Sequence, residues 1–331
     1  MPFFYMIVAI LAAGFMAAVM INDRLFLSAG EKPVLSDPMQ MLVISSFLPT
    51  AALLWALTGG GLSPIPAGYI IGAFFVGTLW TVSNAAYFHV TKITSDFDEV
   101  TAWDASSPVL MAIIGVPMGI ALTSRYWVGI MVVAGSLLSL RYAFKGRAKV
   151  EKVKLYYALL VVHVAALTGA MLGFDFLLKR LGEQYYASLY VPYLGGQAVG
   201  FLALFSGNIR QAFRADAPKI RRLWWALAVG EAFYVISVTC LTWAMKGYPG
   251  AVVMALGGSY PFMIFMAGPV LRRMKFFKRF GDIEVAFPPY EGERWKKALV
   301  LIANLIGLGL LAPQMGPTKS AVVRRVASRV A

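Results

Sequence analysis

The sequence predicts an all-α integral membrane protein, with ten transmembrane helices arranged as two inverted five-helix repeats. Three observations point there. The 331-residue chain is 59% hydrophobic and only 14% charged, with a mean hydropathy of +0.70. That leaves too little polar surface for a soluble domain. Ten segments, 3–27, 38–57, 67–91, 100–122, 126–144, 155–178, 185–206, 223–246, 250–271 and 295–312, are apolar enough to cross lipid, where a spanning helix needs about 20 such residues. Thirdly, a motif around residue 104 returns around residue 257. Lipid admits only structures that satisfy their own backbone hydrogen bonds, so the segments are read as a helical bundle.

In chain order, each segment has its own justification. "FFYMIVAILAAGFMAAVMI" lacks a basic stretch before it and is too long for a cleaved leader, so it is expected to remain as helix 1. Asp23 falls near its end, an interfacial position where pairing with Arg24 is expected. Helix 3 carries "WTVSNAAYFHVTK" (80–92), and its Lys92 is expected to snorkel towards headgroups. Helix 4 opens with "TAWDASSP" (101–108), where Thr101 would cap the helix and Asp104 would favour its N-terminus. Helix 5 opens with Trp127, and helix 6 contains His163 and ends near Asp175, which is expected to pair with Lys179. Helix 7 contains Gln197, and helix 8 contains Glu231 within "ALAVGEAFYV" and closes on Lys246. Helix 9 opens with "ALGGSYP" (255–261), and helix 10 opens with Trp295.

The two openings share the frame A-x-x-x-S-x-P, offset by 153, with Gly257 where Asp104 stands. Tyr5 to Asp23 lays on Tyr157 to Asp175 at an offset of 152, and "ALTGG" (56–60) on "LFSGN" (204–208) at 148. The Trp127 and Trp295 openings make a further matched point in the same order. The chain therefore divides into 1–146, helices 1–5, and 147–331, helices 6–10 with a short basic tail. Five is odd, so the second half enters the membrane in the opposite orientation. Inverted repeats typify secondary transporters, whose sites lie near the midplane between the halves. Small residues at both openings permit close helix approach. Pro108 and Pro261 are expected to free backbone carbonyls that a cavity can use.

Two five-helix halves, with a small-residue S-x-P segment opening helices 4 and 9, resemble the drug/metabolite transporter superfamily in its EamA-like ten-helix form. The resemblance implies transport of small metabolites or drugs, with a central cavity lined by helices 3 and 8 and by the residues before the two prolines. The family often has a Gly-Glu-Arg turn between helices 4 and 5; "LTSRYW" (122–127) stands there instead.

The expected function is thus secondary active transport of small organic solutes by alternating access, in a multi-pass protein of a bacterial inner (plasma) membrane, with protons as a candidate coupling ion. The alternative is a membrane-embedded enzyme acting on lipid or isoprenoid substrates, which would need clustered acids or histidine at one membrane face. No catalytic motif is found: no P-loop, G-x-S-x-G, H-E-x-x-H or dinucleotide fingerprint. Cys240 is the only cysteine, so no cysteine metal cluster or intrachain disulfide forms, and no cofactor is expected. The formal charge of +14 sits mostly in short loops, where lipid headgroups and topology account for it better than nucleic acid does.

Ionisable residues within the bilayer cost roughly 2.5–3.5 kcal/mol at a helix centre and are functional candidates by default. Glu231, deepest in its helix, is the expected proton-exchanging group; Asp104 is the second candidate, expected to stay ionised and attract a cationic or donor group. Each has a structural alternative, helix fixing for Glu231 and dipole stabilisation for Asp104. Asn84 and Gln197 are neutral, deep and suited either to solute or to helix–helix hydrogen bonding. Trp80, Trp103, Tyr234 and Tyr260 are candidate cavity walls with cation–π capacity. His163 is expected to be a hydrogen-bonded core residue or a proton relay.

Charge also predicts topology. The loops joining helices 1–2, 3–4, 5–6, 7–8 and 9–10 hold 22 of the 30 Lys and Arg residues, and the positive-inside rule places these loops in the cytoplasm. The family resemblance implies the reverse, with both termini cytoplasmic. In a Cys240→Ser background, a cysteine placed at Lys149 should resist a membrane-impermeant thiol reagent applied to intact cells. Ready labelling there would establish the family orientation.

Overall fold

The computed structural model describes residues 2–27, 33–59, 62–93, 103–120, 122–143, 153–264 and 294–313. Over these residues the chain is helical, with no strand. The helices are α1 (Pro2–Leu27), α2 (Pro38–Ser45), α3 (Phe47–Gly59), α4 (Ala67–Ile93), α5 (Ser106–Gly115), α6 (Ser124–Ala143), α7 (Val153–Leu181), α8 (Tyr186–Gln197), α9 (Gly207–Ala244), α10 (Gly250–Gly257) and α11 (Arg294–Leu311). Thr101, Lys149 and the loop 272–294 up to Glu293 lie outside the described residues, so the expectations placed on them are not addressed.

Polarity is turned inside out. Ile71, Trp224, Phe3, Leu305 and Ile302 are exposed, whereas Asp23, Asp104, His163, Asp175, Gln197 and Glu231 are all buried. In water that arrangement would be strongly unfavourable, because apolar surface belongs inside and charge outside. A lipid surround removes the objection. Five stretches, Phe3–Leu27, Ala67–Ile93, Val153–Leu181, Glu183–Phe205 and Gly207–Ala244, are long and apolar enough to cross a membrane. The protein is all-α and membrane-embedded.

Several segments differ from the expected full-length spans, each for a local reason. Segment 38–57 starts cleanly, because Asp37 and Gln40 form a reciprocal capping box ahead of Pro38. It then breaks at Ser46, whose hydroxyl contacts the carbonyls of Leu42 (2.8 Å) and Gln197 (3.2 Å). Segment 185–206 tightens into a 3-10 helix over Ala198–Phe205. Helix 4 is interrupted at Ala105: Trp103 and Asp104 are helical, and α5 starts at Ser106 and is closed by a turn in which Gly119 has φ of 82°. Pro108 lies in the first turn of α5, and Pro261 in the helical turn 260–264 that follows α10.

The expected loop 207–222 is helix. It is continuous with helix 8, and α9 runs 38 residues, about 57 Å at 1.5 Å per residue. That exceeds the roughly 30 Å of bilayer hydrocarbon, so its basic first turns project beyond it. Two contacts hold the projection against the loop before α2: Ser36 N–H donates to Asp216 (2.8 Å), and Lys219 Nζ to Pro33 O (2.9 Å). Lys92 likewise donates to Leu35 O (3.2 Å) rather than reaching outwards.

The most extensive packing joins α4 to α7, α1 to α9, α6 to α11 and α4 to α8. The α4–α8 contact is backbone against backbone. A Cβ on Gly77 would lie 2.0 Å from Tyr193 O, and one on Gly196 would lie 2.1 Å from Phe74 O. Only glycine at both positions permits this approach. Tyr186 and Tyr190 of α8, stacked at 5.4 Å, then bond the hydroxyls of Thr242 and Thr239 on α9, each at 2.7 Å. Gly196→Ala should therefore force α4 and α8 apart and cost about 1–3 kcal/mol or more. Gly135, whose added Cβ would meet nothing within 4 Å, should accept alanine without loss. Thermal unfolding of the two purified variants in detergent measures the difference.

Candidate functional site

Five helices leave a cavity at their centre. Met16, Met20 and Asp23 come from α1; Trp80, Ser83, Asn84, Tyr87 and Phe88 from α4; His163 from α7; Glu231 and Tyr234 from α9; Met254 and Gly257 from α10. Asp104 reaches in from just before α5, and Tyr260 from just after α10. The cavity encloses about 60 Å³, room for a few water molecules. Its walls are mostly apolar, so each polar group on them needs an account.

Asp104 has one. Its Oδ1 lies 2.7 Å from His163 Nε2, and its Oδ2 accepts a hydrogen bond from the Tyr260 hydroxyl. It sits on a short helical turn, Trp103 and Asp104, just ahead of α5, and is 6% exposed. Asp175 accepts from the Gly250 N–H at the start of α10 (3.0 Å) while pairing with Lys179 at 3.2 Å.

His163 is hydrogen-bonded on both sides. Nδ1 lies 2.8 Å from Ser83 Oγ and 3.0 Å from Ser83 O, and Ser83 Oγ is also 3.1 Å from His163 O. With a proton on Nε2 alone, Nδ1 accepts from the Ser83 hydroxyl. With both nitrogens protonated, Nδ1 donates to Ser83 O and the hydroxyl turns to His163 O. Each state is satisfied, so His163 can gain or lose a proton without stranding a buried polar atom.

A second network runs along α4 and α9. Trp80 Nε1 (2.5 Å) and Asn84 Nδ2 (3.0 Å) donate to the Tyr234 hydroxyl, which donates to Gln197 Oε1 (3.1 Å). The structure thus brings six of the seven expected residues, Trp80, Asn84, Asp104, Glu231, Tyr234 and Tyr260, onto one cavity. Gln197 stands behind them, contacting the cavity through Tyr234. Trp103 is elsewhere, on an outer groove between α5, α6 and α7.

Two further acids face the cavity. Glu231 is buried and its Oε2 has no hydrogen-bond partner among the described residues. Asp23, expected at the interface, lines the same cavity at 4% exposure. Its signal in the sequence was present but ambiguous, because a carboxylate near a helix end is ordinarily interfacial. Tyr87 was not anticipated, and its buried hydroxyl likewise has no partner among the described residues. No family model and no curated protein sequence matches the chain.

The Asp104–His163 pair should be energetically coupled. Asp104→Leu leaves the imidazole without its acceptor and should cost about 3 kcal/mol or more, as breaking a buried ion pair does. Adding His163→Leu should recover much of that loss. A double-mutant cycle read by thermal unfolding checks it; additive losses would mean that the two residues act separately.

Proposed function

We propose that the protein is a secondary active transporter of small organic solutes, a ten-helix EamA-like bundle of two inverted repeats working by alternating access in the bacterial inner membrane. The observation that carries this reading is a central cavity whose titratable groups come from both proposed halves. Asp23, Tyr87 and Asp104 belong to the first half, and His163, Glu231, Tyr234 and Tyr260 to the second.

Helix packing supports the repeat. Exchanging helices 1, 3 and 4 with helices 6, 8 and 9 turns the α1–α9 contact into the α7–α4 contact, and both are among the most extensive pairings. The same exchange turns the α1–α10 contact into that between α7 and α5. Coupling would use groups that bind a proton in one orientation and release it in the other. Glu231, unpartnered and deep, suits that role, and His163 suits a relay, being satisfied in either protonation state.

The enzyme reading has one feature in its favour: Ser83, His163 and Asp104 are joined in the order of a nucleophile, base and orienting acid. The surroundings oppose it. Among the described lining residues there is no Lys or Arg to receive a phosphate or an oxyanion.

Uptake of a panel of labelled solutes into proteoliposomes, with and without a pH gradient, tests the proposal. At least one solute should accumulate only when the gradient is imposed, and Glu231→Gln should abolish that accumulation while the protein remains folded. Undiminished gradient-driven uptake by a well-folded Glu231→Gln protein would remove the residue from coupling.

A further inference from the structure

The first turns of α9 and the chain leading into them form a surface that the cavity does not use. This stretch leaves α2 and returns to it. Gly200 lies so close to α2 that an added Cβ would sit 2.1 Å from Ser46 Oγ and 3.1 Å from Leu42 O. Further along, Asp216 accepts from Ser36 N–H (2.8 Å), just ahead of the same helix. Both anchors lie on or beside the eight residues of α2, a length of about 12 Å. The chain between them therefore arches outwards from one end of the bundle.

The arch carries two kinds of exposed side chain. Leu202 and Phe205 are 59% and 81% exposed, and Phe47, 65% exposed, sets its ring 6.0 Å from that of Phe201. In water these groups would form a costly apolar surface. One turn beyond Phe205, where Arg210 N–H donates to Ser206 O (3.2 Å), the arginines begin. Arg210, Arg214 and Arg221 are spaced i, i+4 and i+11, which at about 100° per residue puts them within about 40° of one another on the helix. All three are exposed, as are Arg222 beside them and the small Ala217 between them. None of these four arginines has a side-chain hydrogen bond or an ion pair among the described residues. Asp216, the acid of these turns, is buried and already taken by Ser36 and Lys219. Trp224 and Trp225 follow at 64% and 39% exposure, the aromatic mark of a membrane–water boundary.

We propose that the arch is a binding site for an anionic phospholipid, whose headgroup phosphate is held by Arg210, Arg214 and Arg221 and whose acyl chains lie against Leu202, Phe205 and Phe47. Guanidinium groups match phosphate oxygens with paired N–H donors. A stripe of positive charge with no free acid beside it selects a headgroup of net negative charge, because the ammonium of a zwitterionic lipid would fall next to the arginines. The apolar patch one turn away selects a lipid over a soluble anion, which would leave Leu202 and Phe205 bare. The site goes beyond the transport reading and does not depend on it.

The test is lipid binding by purified full-length protein in a neutral detergent at low salt, with bound molecules counted by native mass spectrometry. The ligands are dioctanoyl phosphatidylglycerol, dioctanoyl phosphatidylcholine and glycerol 3-phosphate. Phosphatidylglycerol should bind saturably, with the other two weaker by about tenfold or more. Replacing the stripe (Arg210→Gln, Arg214→Gln and Arg221→Gln together) should weaken phosphatidylglycerol by about tenfold or more. Removing the same charge from the loop before α7, by Lys145→Gln, Arg147→Gln and Lys149→Gln, should leave most of the affinity in place. Equal binding of phosphatidylcholine overturns the proposal, and equally tight glycerol 3-phosphate makes the stripe a soluble-anion site instead. Unchanged phosphatidylglycerol affinity in the stripe variant overturns it too, as does an equal loss in the loop variant, which would reduce the effect to net charge. Where the stripe variant does not fold, Arg214→Gln alone decides: it should weaken binding severalfold, and unchanged affinity refutes the site.

Discussion

The interior of this bundle is organised by the carboxylate of Asp104. A charge in an apolar surround is tolerated only when each of its oxygens is met by a donor, and both donors here come from distant parts of the chain. His163 approaches from α7, Tyr260 from beyond α10, and Ser83 on α4 holds the far side of the imidazole. Satisfying one acid therefore fixes the relative positions of four elements. A shift of any of them by an ångström or two would leave a buried charge exposed to hydrocarbon. The cavity owes much of its shape to that requirement, since most of its remaining walls are methionine, leucine and aromatic rings that would pack equally well in several arrangements.

The same rule explains why Glu231 reads differently from Asp104. Both are buried to the same degree, at 6% exposure. Burial alone does not separate a structural acid from a functional one; the state of its hydrogen bonds does. Evolution of a purely structural bundle has no reason to retain a carboxylate oxygen that meets nothing, because an apolar residue of similar size would be more stable. A bare oxygen on a cavity wall is therefore better explained by a species that comes and goes.

Much of this was legible in the sequence, and the misses have physical causes. Composition and the ten apolar segments gave the membrane class, because a lipid environment leaves a coarse mark on every stretch of the chain. Glu231 stood out because an acid nine residues past the last basic residue, Arg222, in an apolar run, has no sequence neighbour to pair with. Asp104 was singled out as an acid in an apolar run, but its partners, His163 and Tyr260, lie 59 and 156 residues away, beyond anything periodicity reports. Asp23 was set aside because sequence position near a helix end says interface, while depth depends on how neighbouring helices close over it. The loop before helix 8 was read from its charges, yet Asp216 and Lys219 bond to residues 36 and 33 and hold those basic turns as helix.

Any alternating motion must respect which contacts can change. Gly77 and Gly196 bring the backbones of α4 and α8 together so closely that no side chain intervenes, and such a contact has little freedom to slide or tilt. Those two helices would move as one body. The cavity's other boundaries are different: Asp104, His163, Tyr260 and Glu231 meet across it through side chains, whose hydrogen bonds can be exchanged without unfolding a helix. His163 is satisfied in both of its protonation states only while Ser83 stays beside it, and Ser83 is carried by the same α4 that α8 clamps. Opening would then proceed by releasing Asp104 from one partner, Tyr260, while its bond to His163 persists. A proton arriving at this cluster would weaken that hold, and Glu231 faces the same cavity, so a solute bound there would be coupled to the proton only if both favour the same arrangement.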